Sequence, residues 1–299
     1  MRRAAWIVTT ATVALAGCGI APASHQLSAA GRTPPATPAA AASASTQAPA
    51  VAAAADATAP PRLPHSPHGG AGRFAPTASG VLDGQVVLVD PGHNGGNFGA
   101  PSVINQLIWN GRESETCDTT GAETDGGYTE AQFNWNVARY LTADLRAAGA
   151  TVVLTRTSNT GVGPCVTKRA ALGNRAHANA AVSIHADGGP PGGRGFAVLE
   201  PVADGINDAI VGPSARLGTD LRNAFEAGTS EQVSTYDGVD GIQPRDDLAG
   251  VNLSTVPKVF IECANMRNAA DAALVTSPAW QAKAARAIAA GLTKFLTSR

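Results

Sequence analysis

The sequence predicts an α/β fold. The expectation is a single domain over residues 81–299, built on a mostly parallel (mixed) central sheet flanked by helices on both faces. Three observations carry it. Short runs rich in β-branched residues recur through the chain, amphipathic segments stand between them, and the runs are apolar without alternation, as in strands covered on both faces. Gln85-Val-Val-Leu-Val-Asp90 reads as the first buried strand. Thr129 to Ala148 follows as a helix, with Phe133, Val137, Leu141 and Leu145 on one stripe and Gly149 as its stop. A strand over 151–155, a helix over 166–179 and strands over 181–185 and 195–200 come next. Pro213 to Ala227 reads as a third helix and Lys258 to Cys263 as the last strand. Ser277-Pro278 supplies a cap and a first-turn proline for a final helix ending near Leu296. Residues 94–128 and 228–255 are irregular and Gly-rich, and long loops in a compact domain are usually functional.

The first 80 residues differ in composition. Arg2 and Arg3 precede an uncharged, largely apolar stretch from Ala4 to Leu15, 12 residues long. That matches the charged and apolar regions of a signal peptide and is too short to span a bilayer. Leu15-Ala16-Gly17-Cys18 resembles the bacterial lipobox, in which cleavage falls just before the cysteine that receives lipid. Residues 1–17 are therefore expected to be a lipoprotein signal peptide. Cys18 is expected to anchor an exported chain on the outer face of the bacterial plasma membrane. Residues 18–80 are Ala/Pro/Ser/Thr-rich with few large apolar side chains, so a disordered linker is expected.

Lys and Arg number 22 against 23 Asp and Glu, and only 15% of residues are charged. From residue 81 onward the count is 17 basic to 22 acidic. This excludes a nucleic-acid grip built on bulk positive charge and suits a metal-binding or neutral-substrate enzyme. No apolar run reaches the roughly 18 residues of a membrane-spanning helix. Four cysteines are too few for a disulfide-stapled miniprotein, and a domain of this size does not need such staples.

Ligands of open α/β sheets bind beyond the carboxyl ends of the strands. His93 follows the first strand there, His185 closes the third, and Glu262 closes the last. Glu130 opens a helix and shares the buried face of Phe133 and Val137. An inward carboxylate needs a partner. Two histidines and one carboxylate leave a fourth position open, the pattern of a catalytic zinc site. The second glutamate then supplies the base that hydrolysis requires. The glycine-rich loop at 92–99 lacks both G-x-G-x-x-G spacing and an immediate helix, which argues against a phosphate cradle. Ser183 and His185 lie outside any G-x-S-x-G elbow, and His177 reads as a bystander.

Together, Val89-Asp90-Pro91-Gly92-His93-Asn94-Gly95, Glu130, Arg169 and Arg175 ahead of Ala181-Val-Ser-Ile-His-Ala186, and Pro257-Lys-Val-Phe-Ile-Glu262 with Asn268 carry a resemblance. Over about 85–297 the chain resembles the zinc-dependent N-acetylmuramoyl-L-alanine amidases of the amidase-3 family. Gly163-Pro164-Cys165 and the Glu262 to Asn268 segment look most like its mycobacterial type. The resemblance implies one zinc ion held by His93, Glu130 and His185, with Glu262 as catalytic glutamate. It also implies hydrolysis of the amide between N-acetylmuramic acid and L-alanine of the peptidoglycan stem. Residues 228–255 fall where some relatives carry a blocking helix, but their Gly- and Asp-rich composition predicts none here. A zinc peptidase acting within stem peptides and a non-catalytic wall-binding lipoprotein are the rival readings. The latter requires a lost ligand or base, and all four residues are present. A monomer is expected. With Cys18 lipidated and Cys263 turned from the metal by strand alternation, Cys117 and Cys165 are expected to pair in an oxidising compartment.

Overall fold

The computed structural model describes residues 59–63 and 70–298. The signal peptide expected at 1–17, Cys18 and most of the linker lie outside the described residues. In chain order the elements are β1 (Gly72–Phe74), β2 (Val86–Pro91), α1 (Pro101–Ile104), β3 (Leu107–Trp109), β4 (Ser114–Thr116), α2 (Glu130–Ala147), β5 (Thr151–Leu154) and α3 (Val166–Ala176). After these come β6 (Ala180–Asp187), β7 (Ala197–Pro201), α4 (Asp208–Thr229), β8 (Ile242–Arg245), α5 (Ala249–Asn252), β9 (Lys258–Asn265), α6 (Ala269–Val275) and α7 (Pro278–Thr297).

Seven strands form one mixed sheet in the order β1-β5-β2-β6-β9-β7-β8, and β3 pairs with β4 as a separate hairpin. The central strands β5, β2, β6 and β9 run parallel. β1 is antiparallel to β5 at one edge, and β7 is antiparallel to β9 near the other. Alternation sorts the side chains of the parallel strands by face. Val87, Val89, Val182, Ile184, Val259, Ile261 and Cys263 join the large apolar core with Phe133, Leu141, Leu217, Phe225 and Ile288 from α2, α4 and α7. Each such side chain fully buried contributes roughly 1.5–3 kcal/mol. The opposite face holds a small apolar cluster of Leu88, Val153, Ala178, Ala181 and Val256 beneath α3. Further towards the strand carboxyl ends that face turns polar, with buried Asp90, Ser183 and His185.

Four expected boundaries are corrected. The linker does not extend to residue 80, because Gly72–Phe74 pairs with β5 and Phe74 and Leu63 are buried in the core. The Arg139 Nε also donates to the Pro61 carbonyl at 2.8 Å. Without β1 the β5 backbone would be an open edge. The third predicted helix begins upstream of Pro213, at Asp208. Proline removes one helix hydrogen bond. Burial of Ile210 before it and Ser214 after it keeps the segment helical. The second predicted helix stops at Ala176, and His177 follows in the left-handed region at φ 49°. The irregular stretches also hold short elements: α1 and the hairpin in the first, β8 and α5 in the second.

The Cys117–Cys165 disulfide is present, with Cα atoms 4.5 Å apart. Cys263 is a free, buried thiol on the sheet face away from the site. Among the described residues no helix is long and apolar enough to cross a membrane.

Candidate active site

β2 ends at Pro91, and Gly92 carries the chain over the top of β6, donating to the Ile184 carbonyl at 3.0 Å. A Cβ at Gly92 would lie 2.0 Å from the His185 ring, so only glycine fits there. His93 follows at φ 54°. Its Nε2 lies 3.3 Å from Glu130 Oε1, and its Nδ1 lies 3.1 Å from Asp118 Oδ1.

Glu130 is the first residue of α2 and is buried. Its Oε2 accepts from the Ala122 amide at 2.8 Å, while Oε1 lies 2.7 Å from His185 Nδ1. The carboxylate therefore sits between two imidazoles. Gly121, at φ 77°, gives it room: a Cβ there would meet Glu130 Oε2 and the His93 ring at 2.7 Å. His185 comes from β6 and stacks on Phe260 of β9, ring centroids 3.8 Å apart. Glu262 stands opposite His185 in the β6–β9 register. The ligand atoms of His93, Glu130 and His185 all lie within 4.8 Å of one another.

Burial alone would lower the His93 pKa, but Glu130 and Asp118 overturn that and raise it to about 10. Burial dominates at His185 and lowers its pKa, favouring the neutral imidazole. Glu130 would be raised by burial, yet its two imidazole partners hold it well below the usual carboxylate range. Glu262 is the reverse case. Burial, then Glu130 and Asp187, push it well above that range, and its Oε2 is buried without a hydrogen-bond partner.

These four residues line one cavity of about 370 Å³. The two irregular stretches wall it: Glu115, Thr116 and Asp118 from the first, Leu248, Ala249 and Gly250 from the second. The stretch 228–255, where composition predicts no blocking helix, does hold one single-turn helix, α5, whose Ala249 and Gly250 line the cavity. Ahead of it Tyr236 packs over Gly189 and Gly193 and donates to Asp187 Oδ2 at 2.9 Å. The structure thus brings together all four site residues predicted from sequence. A carboxylate between two imidazoles, with a second carboxylate beside them, fits a divalent metal that takes mixed N/O ligands, zinc above all.

Residues 87–294 match the amidase-3 family, described as N-acetylmuramoyl-L-alanine amidase. The chain belongs to this amidase family. An N-acetylmuramoyl-L-alanine amidase of Mycobacterium tuberculosis is 39% identical over 219 residues, covering 73% of this chain and 89% of that one. The crystal structure of the amidase Ami1 from Mycobacterium smegmatis is 41% identical with a TM-score of 0.69, covering 73% of this chain and 99% of that one. The apo Ami1 of Mycobacterium abscessus is 40% identical with a TM-score of 0.68, covering 72% and 100%. An amidase from Clostridium difficile, at 20% identity and a TM-score of 0.55, shares the fold. The chain is accordingly an amidase-family hydrolase of peptidoglycan, with the mixed sheet flanked by helices that the resemblance implies.

Sequence reasoning passed over two residues of this amidase site. Asp118, beside His93, sits in an irregular loop with no periodicity to mark it. Phe260, the floor under His185, reads only as a strand residue. Arg175 and His177 are exposed, and neither lines the cavity. Asn268 accepts from the Ala270 and Asp271 amides as the cap of α6.

Proposed function

We propose that the chain cleaves the amide joining N-acetylmuramic acid to the first L-alanine of the stem peptide. In this reading His93, Glu130 and His185 hold one zinc ion and Glu262 is the catalytic glutamate. The observation that carries it is the convergence of three ligand atoms within 4.8 Å in a cavity that Glu262 also lines. Bound zinc would polarise the amide carbonyl and lower the pKa of a coordinated water towards ~7.

This chain's residues do the rest. Glu130 is held by the Ala122 amide and by Asn134 Nδ2 at 3.3 Å, so its carboxylate keeps one orientation between the imidazoles. Glu262, which lines the same cavity and is unpaired at Oε2, takes the proton of the attacking water. As the carbon–nitrogen bond breaks, it returns that proton to the leaving amine, and the muramic lactyl group leaves as a carboxylic acid. Val166, Leu248 and Phe260 give the cavity apolar walls.

Export on the segment 1–17 and lipid attachment at Cys18 would place a monomeric enzyme beside this substrate. Cys18→Ser should move the protein out of the membrane fraction. Digestion of defined muropeptides with and without chelator tests the activity. Release of an intact stem with a free L-alanine amino group, abolished by chelator, is expected. Cleavage within the stem would support a zinc peptidase, and no cleavage a wall-binding protein; either would overturn the proposal.

A further inference from the structure

His93 stands on a turn rather than in an element, so its placement depends on what grips it. Asp118 Oδ1 lies 3.1 Å from His93 Nδ1. Asp118 Oδ2 accepts from Arg169 Nη2 at 2.9 Å, and the same Nη2 donates to the His93 carbonyl at 2.9 Å. One guanidinium nitrogen therefore joins the backbone of His93 to the carboxylate beside its ring. The other arms of Arg169 reach the Pro91 carbonyl at 2.8 Å, Asp90 Oδ1 at 3.0 Å and the Pro164 carbonyl at 2.8 Å. Asp90 is itself fixed by Thr155 Oγ1 and Ser183 Oγ, each at 2.7 Å, and by Lys258 Nζ at 3.3 Å. Arg169 and Asp118 are 3% and 4% exposed, so these bonds are made out of water and their geometry is not shared with solvent. The disulfide closes the frame. It ties Cys117, next to Asp118, to Cys165, which precedes α3, and the Val166 amide donates to the Cys117 carbonyl at 2.8 Å.

We propose that Asp118 and Arg169 are positioning residues for the metal site. Asp118 accepts the Nδ1–H of His93 and so presents the lone pair of Nε2, the nitrogen that faces Glu130, to the metal. Arg169 sets the distance and angle of Asp118 relative to the His93 backbone. Ligating histidines commonly donate their second nitrogen to a carboxylate, which fixes ring orientation and strengthens the ligand. Lysine cannot reproduce the device, because a single ammonium lacks the planar fork that spans these acceptors. The proposal rests on the reading of His93 as a metal ligand.

The test uses Asp118→Ala, Arg169→Lys and His93→Ala in the full chain. Zinc affinity is read by competition with a chromogenic chelator, and the ligand field by the visible spectrum of the cobalt-substituted protein. Fold is read by circular dichroism and thermal melting. Asp118→Ala and Arg169→Lys should weaken zinc binding about 10–100-fold and alter the cobalt spectrum while the secondary structure is kept. If both bound zinc with wild-type affinity and showed the wild-type cobalt spectrum, with only the melting temperature lowered, the pair would be structural and the proposal overturned. Should Arg169→Lys not fold, Asp118→Ala decides alone. His93→Ala separates the two claims: wild-type zinc affinity in that variant would remove the ligand assignment itself.

Discussion

Replacing Gly92 by alanine adds one methyl group at the most crowded point of the site. The new Cβ would stand 2.0 Å from His185 Cε1, 2.1 Å from Nε2 and 2.6 Å from Nδ1. Carbon contacts settle near 3.5–4.0 Å, so the ring would have to retreat by about 1.5 Å. Its way is blocked by Phe260, stacked at 3.8 Å, and its Nδ1 is tied to Glu130 at 2.7 Å. The backbone offers no objection of its own, since Gly92 is not among the positive-φ glycines. The three nearest atoms the new methyl would meet all belong to one proposed ligand. Metal–ligand distances tolerate about 0.2 Å, so a displacement of this size should cost more than the 10–100-fold typical of outer-layer changes. We expect zinc affinity to fall at least about 100-fold. Overpacking should cost the fold only about 1–3 kcal/mol, which a domain of ordinary stability survives. Chelator competition beside a thermal melt reads both quantities. A Gly92→Ala protein that folds and holds zinc within about threefold of wild type would refute the placement of His185 at the metal.

Glu262→Gln keeps the volume of the side chain and removes the base; turnover should drop about 10²–10⁴-fold while metal analysis still finds near-stoichiometric zinc, and loss of the metal would show Glu262 to be a ligand instead. Serine at both Cys117 and Cys165 releases a loop closed across a 48-residue separation. That should cost up to roughly 4 kcal/mol in denaturant unfolding by loop entropy, and a change below about 1 kcal/mol would refute the constraint. Glu200 is half-buried against Gly218, and burial raises its pKa from 4.5 to about 7. Its folded-state pKa lies above its unfolded one, so its contribution is complete below about pH 4.5 and is lost as pH rises through about 7. Glu200→Gln should flatten the stability profile across that window, and a profile that keeps the wild-type slope would exclude Glu200 as its source.

The parallel core was readable because β2, β6 and β9 are apolar runs too short for helices, and because the Phe133–Leu145 stripe repeats every four residues. The candidate site residues were readable for a related reason. His93, His185 and Glu262 stand where strands end, a position the chain itself marks, and Glu130 shares a stripe with core residues. Asp118 had no such mark. It reaches His93 through a loop whose path is set by the disulfide and by Arg169, partners 48 and 51 positions further along. Gly72–Phe74 is a strand only because β5 offers it an edge; three residues that include a glycine show no alternation. At Pro213 local chemistry signalled a helix start, and burial of Ile210 outweighed it.

With Cys117 and Cys165 joined, Cys263 is the free thiol of the described residues, and it is fully buried one position from Glu262. Burial also holds its pKa well above the usual thiol range, so it stays protonated and unreactive in the closed fold. In a Cys18→Ser chain this makes Cys263 a built-in clock. A thiol reagent can modify it only when β9 parts from the helices that cover it, so the labelling rate counts openings of the core next to Glu262. A ligand that binds only the closed form suppresses those openings in proportion to its occupancy. Labelling with and without zinc would then report metal binding to the resting enzyme, with no substrate turned over.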